Sequence, residues 1–119
     1  MDVYVSKVYT CSTMEKINKE YEDIAGKYFA LSSPIRLKIL ALLTKREHCA
    51  CEFPILLGIS QPNTSRNLFV LRKAGLIRSY RDKQRIIYSL ETKELQSLAK
   101  RLNELIESNT GITFTLKDC

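Results

Sequence analysis

Apolar residues recur along this chain in two rhythms, and the changes of rhythm divide it into elements. Met14, Ile17, Tyr21, Ile24 and Tyr28 are separated by three and four positions in turn, the spacing that lines one face of a helix. A first helix is predicted over 13–30. Ser32-Ser33-Pro34 follows, a serine N-cap with proline near the first helical position. The second helix carries Ile35, Leu37, Ile39, Leu40, Leu42 and Leu43, so burial on most of its sides is expected. Lys45 and Arg46 mark its end, where cations suit the helix dipole. A short helix over roughly 49–57 is predicted to stop at Gly58, a residue suited to a helix C-cap.

Ser60 then caps a helix over about 61–74 that turns Leu68 and Leu71 inward and stops at Gly75. The rhythm next shifts toward that of strands. "LIRSYR" (76–81) and "RIIYSL" (85–90) flank Asp82-Lys83-Gln84, which reads as a hairpin. Leu95, Leu98, Leu102, Leu105 and Ile106 share one face of a last helix over about 92–108. Residues 1–12 and 109–119 are weakly patterned. They are expected to be an N-terminal arm and a C-terminal tail around one domain, 13–108.

The fold class that follows is mainly α with a small β-hairpin: a winged helix-turn-helix of about five helices and a two-stranded wing. Length agrees, since 119 residues with 45% hydrophobic content can build one compact core. No run approaches 18 apolar residues, and "MDVYVSKVYT" lacks the layout of a signal peptide. The expected setting is cytoplasmic, without membrane association.

Charge sharpens the picture. The net charge is +6, and the segment Arg66 to Arg85 holds seven basic residues against Asp82 alone, which equals the whole of it. A local block of this kind suits a polyanion. Short polar side chains near a helix N-terminus are what base edges in the major groove require. The predicted recognition helix offers Ser60, Gln61, Asn63, Thr64, Arg66 and Asn67. Helical angles set Thr64 toward the Leu68/Leu71 side, Asn67 between, and Asn63 and Arg66 away from it. Gln61, Asn63 and Arg66 are therefore the expected groove contacts. Arg81, Lys83 and Arg85 on the wing are expected to meet phosphate or the minor groove. Ser60 and Thr64 are read equally well as cap and core. The expected partner is double-stranded operator DNA. Enzyme chemistry finds no support: there is no glycine-rich phosphate loop, no paired carboxylates and no nucleophile relay.

"LSSPIRLKILALL", "CACEF", "ISQPNTSRNLFVLRKAGLI" and "RIIYSL" together resemble the ArsR/SmtB family of bacterial and archaeal repressors over about residues 24–106. One departure is Asn67, where that family usually has histidine, which bears on base preference there. The resemblance implies a homodimer that represses transcription and leaves its operator on binding an inducer, with no obligatory cofactor. Apolar stripes on the first and last helices, more than one small domain readily buries, agree with dimerisation.

The remaining chemistry lies in sulfur. Cysteines stand at 11, 49, 51 and 119, and reduced surroundings would leave them as free thiols, metal ligands or a sensor. "His48-Cys49-Ala50-Cys51-Glu52-Phe53" resembles the cysteine-x-cysteine segment of the family's arsenic, cadmium and lead sensors. The resemblance makes Cys49 and Cys51 inducer ligands for As(III), Sb(III) or a thiophilic ion such as Cd(II), Pb(II) or Zn(II). The arsenic sensors' third cysteine falls here on Pro54. A third thiolate must come from Cys11, which resembles the N-terminal cysteine donated across the dimer, or from Cys119. His48 and Glu52 are weaker donors, and His48 reads as a surface or supporting residue. The family's other site, on the last helix, needs histidines that 92–108 lacks. On a regular helix, residues i and i+2 point about 200° apart, so joint ligation is expected to require an irregular or unwound helix start. The alternatives are a thiol redox or reactive-sulfur sensor of the same fold, and two cysteines that merely pack.

Overall fold

A computed structural model of the chain describes residues 5–9, 11–108 and 112–116, with side chains described over 14–107. The order is β1 (Val5–Tyr9), α1 (Cys11–Leu31), α2 (Pro34–Lys45), β2 (His48–Cys49), α3 (Glu52–Leu57), α4 (Gln61–Lys73), β3 (Ile77–Asp82), β4 (Arg85–Leu90), α5 (Thr92–Ser108) and β5 (Ile112–Leu116). They fall into two compact units, residues 26–95 and the two chain ends, 1–25 with 96–119.

The unit 26–95 holds the winged helix-turn-helix. Ser33 caps α2 by accepting the Arg36 N–H on its hydroxyl, and Pro34 occupies the first turn. Ile39, Leu40 and Leu43 of α2 are buried, but Leu37 is half exposed. Burial on most sides of this helix is thus not what is found; its inward face is a single stripe. Gly58 ends α3 at φ 67° and donates its N–H to the Pro54 carbonyl at 2.9 Å, a left-handed turn that a side chain would strain. The core gathers Phe53, Ile39, Leu71, Leu76 and Ile77, all under 3% exposed.

The predicted two-stranded wing is a three-stranded antiparallel sheet of order β2-β4-β3. β3 and β4 pair from Ile77↔Leu90 to Asp82↔Arg85, closing on Lys83-Gln84. The third strand is short: His48 pairs with Tyr88 and Cys49 with Ile87. This corrects the expectation of a helix over 49–57, because Cys49 belongs to a strand and the helix begins only at Glu52. Two residues are too few for a period-two pattern, and it is pairing with β4 that makes them a strand.

In the unit of the chain ends, β1 runs parallel to β5, from Val5↔Ile112 to Tyr9↔Leu116. Helix α1 begins at Cys11, two residues before the predicted start. Within this unit Arg101 pairs with Glu20, and Leu98 is buried. Among the described residues no helix is long and apolar enough to cross a membrane.

Candidate nucleic-acid interface and thiol pair

The start of α4 is built by one capping residue. The Ser60 hydroxyl accepts the Asn63 N–H at 3.2 Å, and the Ser60 carbonyl accepts that of Thr64 at 2.9 Å. This leaves Gln61 and Arg66 exposed and Asn63 half-buried on the outward side of the first turns. Thr64 and Asn67, included among the expected contacts, are buried at 1% and 7% exposure. The Thr64 hydroxyl donates to the Ser60 carbonyl at 2.9 Å. Asn67 is held between Arg36 and Asn63. Both side chains are engaged in holding the start of α4.

On the wing, Arg81, Lys83 and Arg85 are all exposed. Lys83 takes φ 60° at the first turn position, which carries its charge to the hairpin tip. Arg78 differs: it donates to Glu91 at 2.5 Å and to the Ser89 hydroxyl at 3.0 Å, so its charge is already paired. Tyr80 donates its hydroxyl to Glu47 at 2.7 Å. That bond to a carboxylate holds the Tyr80 proton more tightly than usual and ties the wing to the loop before β2.

The thiol pair sits at the junction of β2 and α3. Ala50 extends the strand by donating its N–H to the Ile86 carbonyl at 2.9 Å. The chain then turns so that Cys51 donates its N–H to the Cys49 sulfur at 3.4 Å, and the two Sγ atoms face each other in direct contact. Both thiols are free, Cys49 buried and Cys51 exposed. The hydrogen bond to Cys49, followed by desolvation, pushes the Cys51 thiol up from its ordinary range. The expected irregular helix start is what the structure has: Cys49 lies on β2 and Cys51 in the turn before α3 begins at Glu52. The strand-to-helix turn already places both sulfurs on one side.

Glu52 secures this turn. Its carboxylate accepts from His48 Nδ1 at 2.5 Å, from Arg46 at 3.0 Å and from the Cys49 N–H at 3.4 Å. Those bonds, the one to His48 foremost, lower it from 4.5 to about 2. The other ring nitrogen of His48 lies 3.1 Å from the Leu42 carbonyl. His48 is buried rather than a surface residue, its ring 5.7 Å from that of Phe53. His48 and Glu52 therefore engage each other and are poor donors to an ion. Among the described residues no three His, Cys, Asp or Glu side chains converge on one ion position. The Cys11 side chain and Cys119 lie outside the described residues.

The donor chemistry suits a soft ion. A tetrahedral ion with bonds of ~2.3 Å sets its sulfurs about 3.8 Å apart, a span within reach of side-chain rotation for two thiols that face each other across one turn. Sequence reasoning missed Arg36 as a support behind the start of α4. Its only local signal was a cation inside an otherwise apolar helix, since its partner Asn67 is distant in sequence.

A capped helix beside a basic hairpin is the apparatus of a winged helix-turn-helix, a DNA-binding regulator of transcription and not an enzyme. The chain belongs to the ArsR family: the profile described as "Bacterial regulatory protein, arsR family" matches residues 33–79. It is 31% identical over 90 residues to the "Biofilm growth-associated repressor" of Xylella fastidiosa, covering 76% of this chain and 79% of that one. Among solved structures, an ArsR-like transcriptional regulator from Rhodococcus sp. RHA1 superposes with TM-score 0.70 at 26% identity, covering 76% and 85% of the two chains. "Reduced HlyU" from Vibrio cholerae does so with TM-score 0.62 at 26% identity, covering 76% and 96%. The protein is an ArsR/SmtB-type transcriptional repressor.

Proposed function

We propose that this repressor is a homodimer that leaves its operator when Cys49 and Cys51 take up As(III), Sb(III) or another thiophilic ion. The observation that carries the reading is the placement of two free thiols side by side at the β2–α3 turn. That turn is continuous with the wing through β4 and lies one short helix before α4. A change in the turn therefore bears on both DNA-facing elements. Cys11 or Cys119 supplies the third thiolate. The test is a titration of operator-bound protein with arsenite, antimonite, Cd(II), Pb(II) and Zn(II), following release by fluorescence anisotropy. No release by any of them would reject the reading.

A second reading has its own support. Two thiols this close can lose two protons and two electrons to an oxidant such as a peroxide or inorganic polysulfide and join as a disulfide. The name of the HlyU relative specifies a redox state for that protein. Release by such an oxidant, reversed by dithiothreitol, with no response to metals, would favour this alternative.

The dimer rests on apolar surface. Tyr21 on α1, and Leu102, Leu105 and Ile106 on α5, are all more than a third exposed in the single chain. A two-fold interface through such stripes would set the recognition helices about 34 Å apart, one turn of DNA. Sedimentation should show a dimer at micromolar concentration; a monomer alone would count against it.

Gln61, Asn63 and Arg66 read bases in this proposal, and Arg81, Lys83 and Arg85 hold the backbone. Arg81→Ala or Lys83→Ala should weaken binding to every sequence and flatten the dependence of log K on log salt by about 0.9 per lost phosphate contact. Asn63→Ala or Arg66→Ala should cost about 1–3 kcal/mol and relax base choice at one position. A wing variant that altered base preference and left the salt dependence unchanged would reverse the roles.

A further inference from the structure

Behind the recognition helix lies a chain of hydrogen bonds whose direction is set by one arginine. The Arg36 guanidinium donates from Nε to the Ala30 carbonyl at 2.7 Å and from Nη2 to the Phe29 carbonyl at 3.2 Å. It lies 5.6 Å from the centre of the Phe29 ring. Thus anchored on the end of α1, it donates from Nη1 to Asn67 Oδ1 at 3.0 Å. A guanidinium has no acceptor. The Asn67 atom facing it must be the carbonyl oxygen, and the Asn67 NH2 must face the other way. There it donates to the Asn63 carbonyl at 2.9 Å and to Asn63 Oδ1 at 2.8 Å. The same logic then applies to Asn63. A donor approaches its amide, so the oxygen turns inward and the NH2 outward. Amide orientation is usually a matter of inference, but here a donor-only group at one end settles it for both residues. Asn63 Nδ2 has no acceptor among the described residues.

We propose that Arg36 and Asn67 act as a polarity relay that presents the Asn63 NH2 to the major groove, so that Asn63 reads an acceptor edge, guanine N7/O6 first. The inference rests on the reading that α4 enters the major groove. A free asparagine commonly reads adenine with both ends of its amide, accepting from N6 and donating to N7. With its oxygen engaged by Asn67, Asn63 is a donor. Guanine offers two adjacent acceptors. Arg36 and Asn67 touch no base themselves and are positioning residues. The relay also joins the end of α1 to the base-reading surface through contacts that a single residue can reset.

The test is binding-site selection from a randomised operator library with the full-length protein, by sequencing bound DNA. Asn63→Ala first locates the operator position that depends on this residue. At that position the wild type should prefer guanine by on the order of tenfold. Asn67→Asp accepts from Arg36 but cannot donate to Asn63. The Asn63 amide should flip to donate inward, moving the preference toward the donor edges of cytosine or adenine. The added negative charge will lower affinity for all sequences, so base preference is the readout. Arg36→Met should broaden the preference, and Arg36→Lys, which keeps a donor at that place, should retain more of it. A wild-type preference for adenine at the Asn63-dependent position would overturn the relay, as would a guanine preference unchanged in both Asn67→Asp and Arg36→Met. If Asn63→Ala changed no position the relay would be overturned, whereas a sequence preference unchanged in Gln61→Ala and Arg66→Ala as well would overturn the groove-entry reading itself, a distinguishable result.

Discussion

Protein carrying Cys49→Ser or Cys51→Ser is expected to bind operator about as well as wild type and to stay bound when arsenite is added. The serine hydroxyl keeps the size of the side chain but is a poor ligand for a soft ion. An inducer shifts the bound and released states only by its differential affinity for them, so tenfold release corresponds to about 1.4 kcal/mol of coupling. That coupling should vanish when either sulfur is lost, since one thiolate cannot hold the turn's two sides to one ion. Cys11→Ser and Cys119→Ser decide the third donor: whichever abolishes release supplies it. An arsenite response preserved in both the Cys49 and Cys51 variants would show that the pair only packs.

Phe53→Ala should be the most destabilising of the substitutions considered, costing about 3–5 kcal/mol. Phe53 is 0% exposed, and its ring meets His48 at 5.7 Å and Tyr88 at 6.3 Å. It follows Glu52 directly, so its removal takes away the floor beneath the turn that carries the two cysteines. A domain of this size should lose more than about 10 °C in melting temperature. Phe53→Leu should recover part of the loss because much of the volume is retained. A change of less than about 1 kcal/mol for alanine, by chemical denaturation, would mean that the site collapses around the gap or that the ring is not part of the cooperative core.

Helix ends were legible because their signals are local. Ser33 with Pro34 and Ser60 with Pro62 cap α2 and α4 as their spacing predicts, since a cap is decided by hydrogen bonds within one turn. The hairpin followed from alternation and a polar turn. No local pattern marks Phe53 as core, because its ring neighbours, His48 and Tyr88, belong to two paired strands. Asn67 shows the limit for the recognition face. Helical angles placed it between core and solvent, and only the Arg36 guanidinium, donating across from α2, draws it inward.

What the sequence determined by itself is thus the succession of helices, the capped recognition helix, the basic wing and the pairing of two cysteines one residue apart. Each depends on neighbours within a few positions or on a periodicity the chain carries openly. The tertiary structure alone decided that Cys49 lies on a strand, that its sulfur meets that of Cys51 without unwinding a helix, and that Arg36 orients two asparagines. It alone brought β1 and β5 together from opposite ends of the chain. These outcomes depend on hydrogen bonds between distant segments: β2 exists because β4 offers its edge, and the Asn63 amide points outward because an arginine far from it in sequence can only donate.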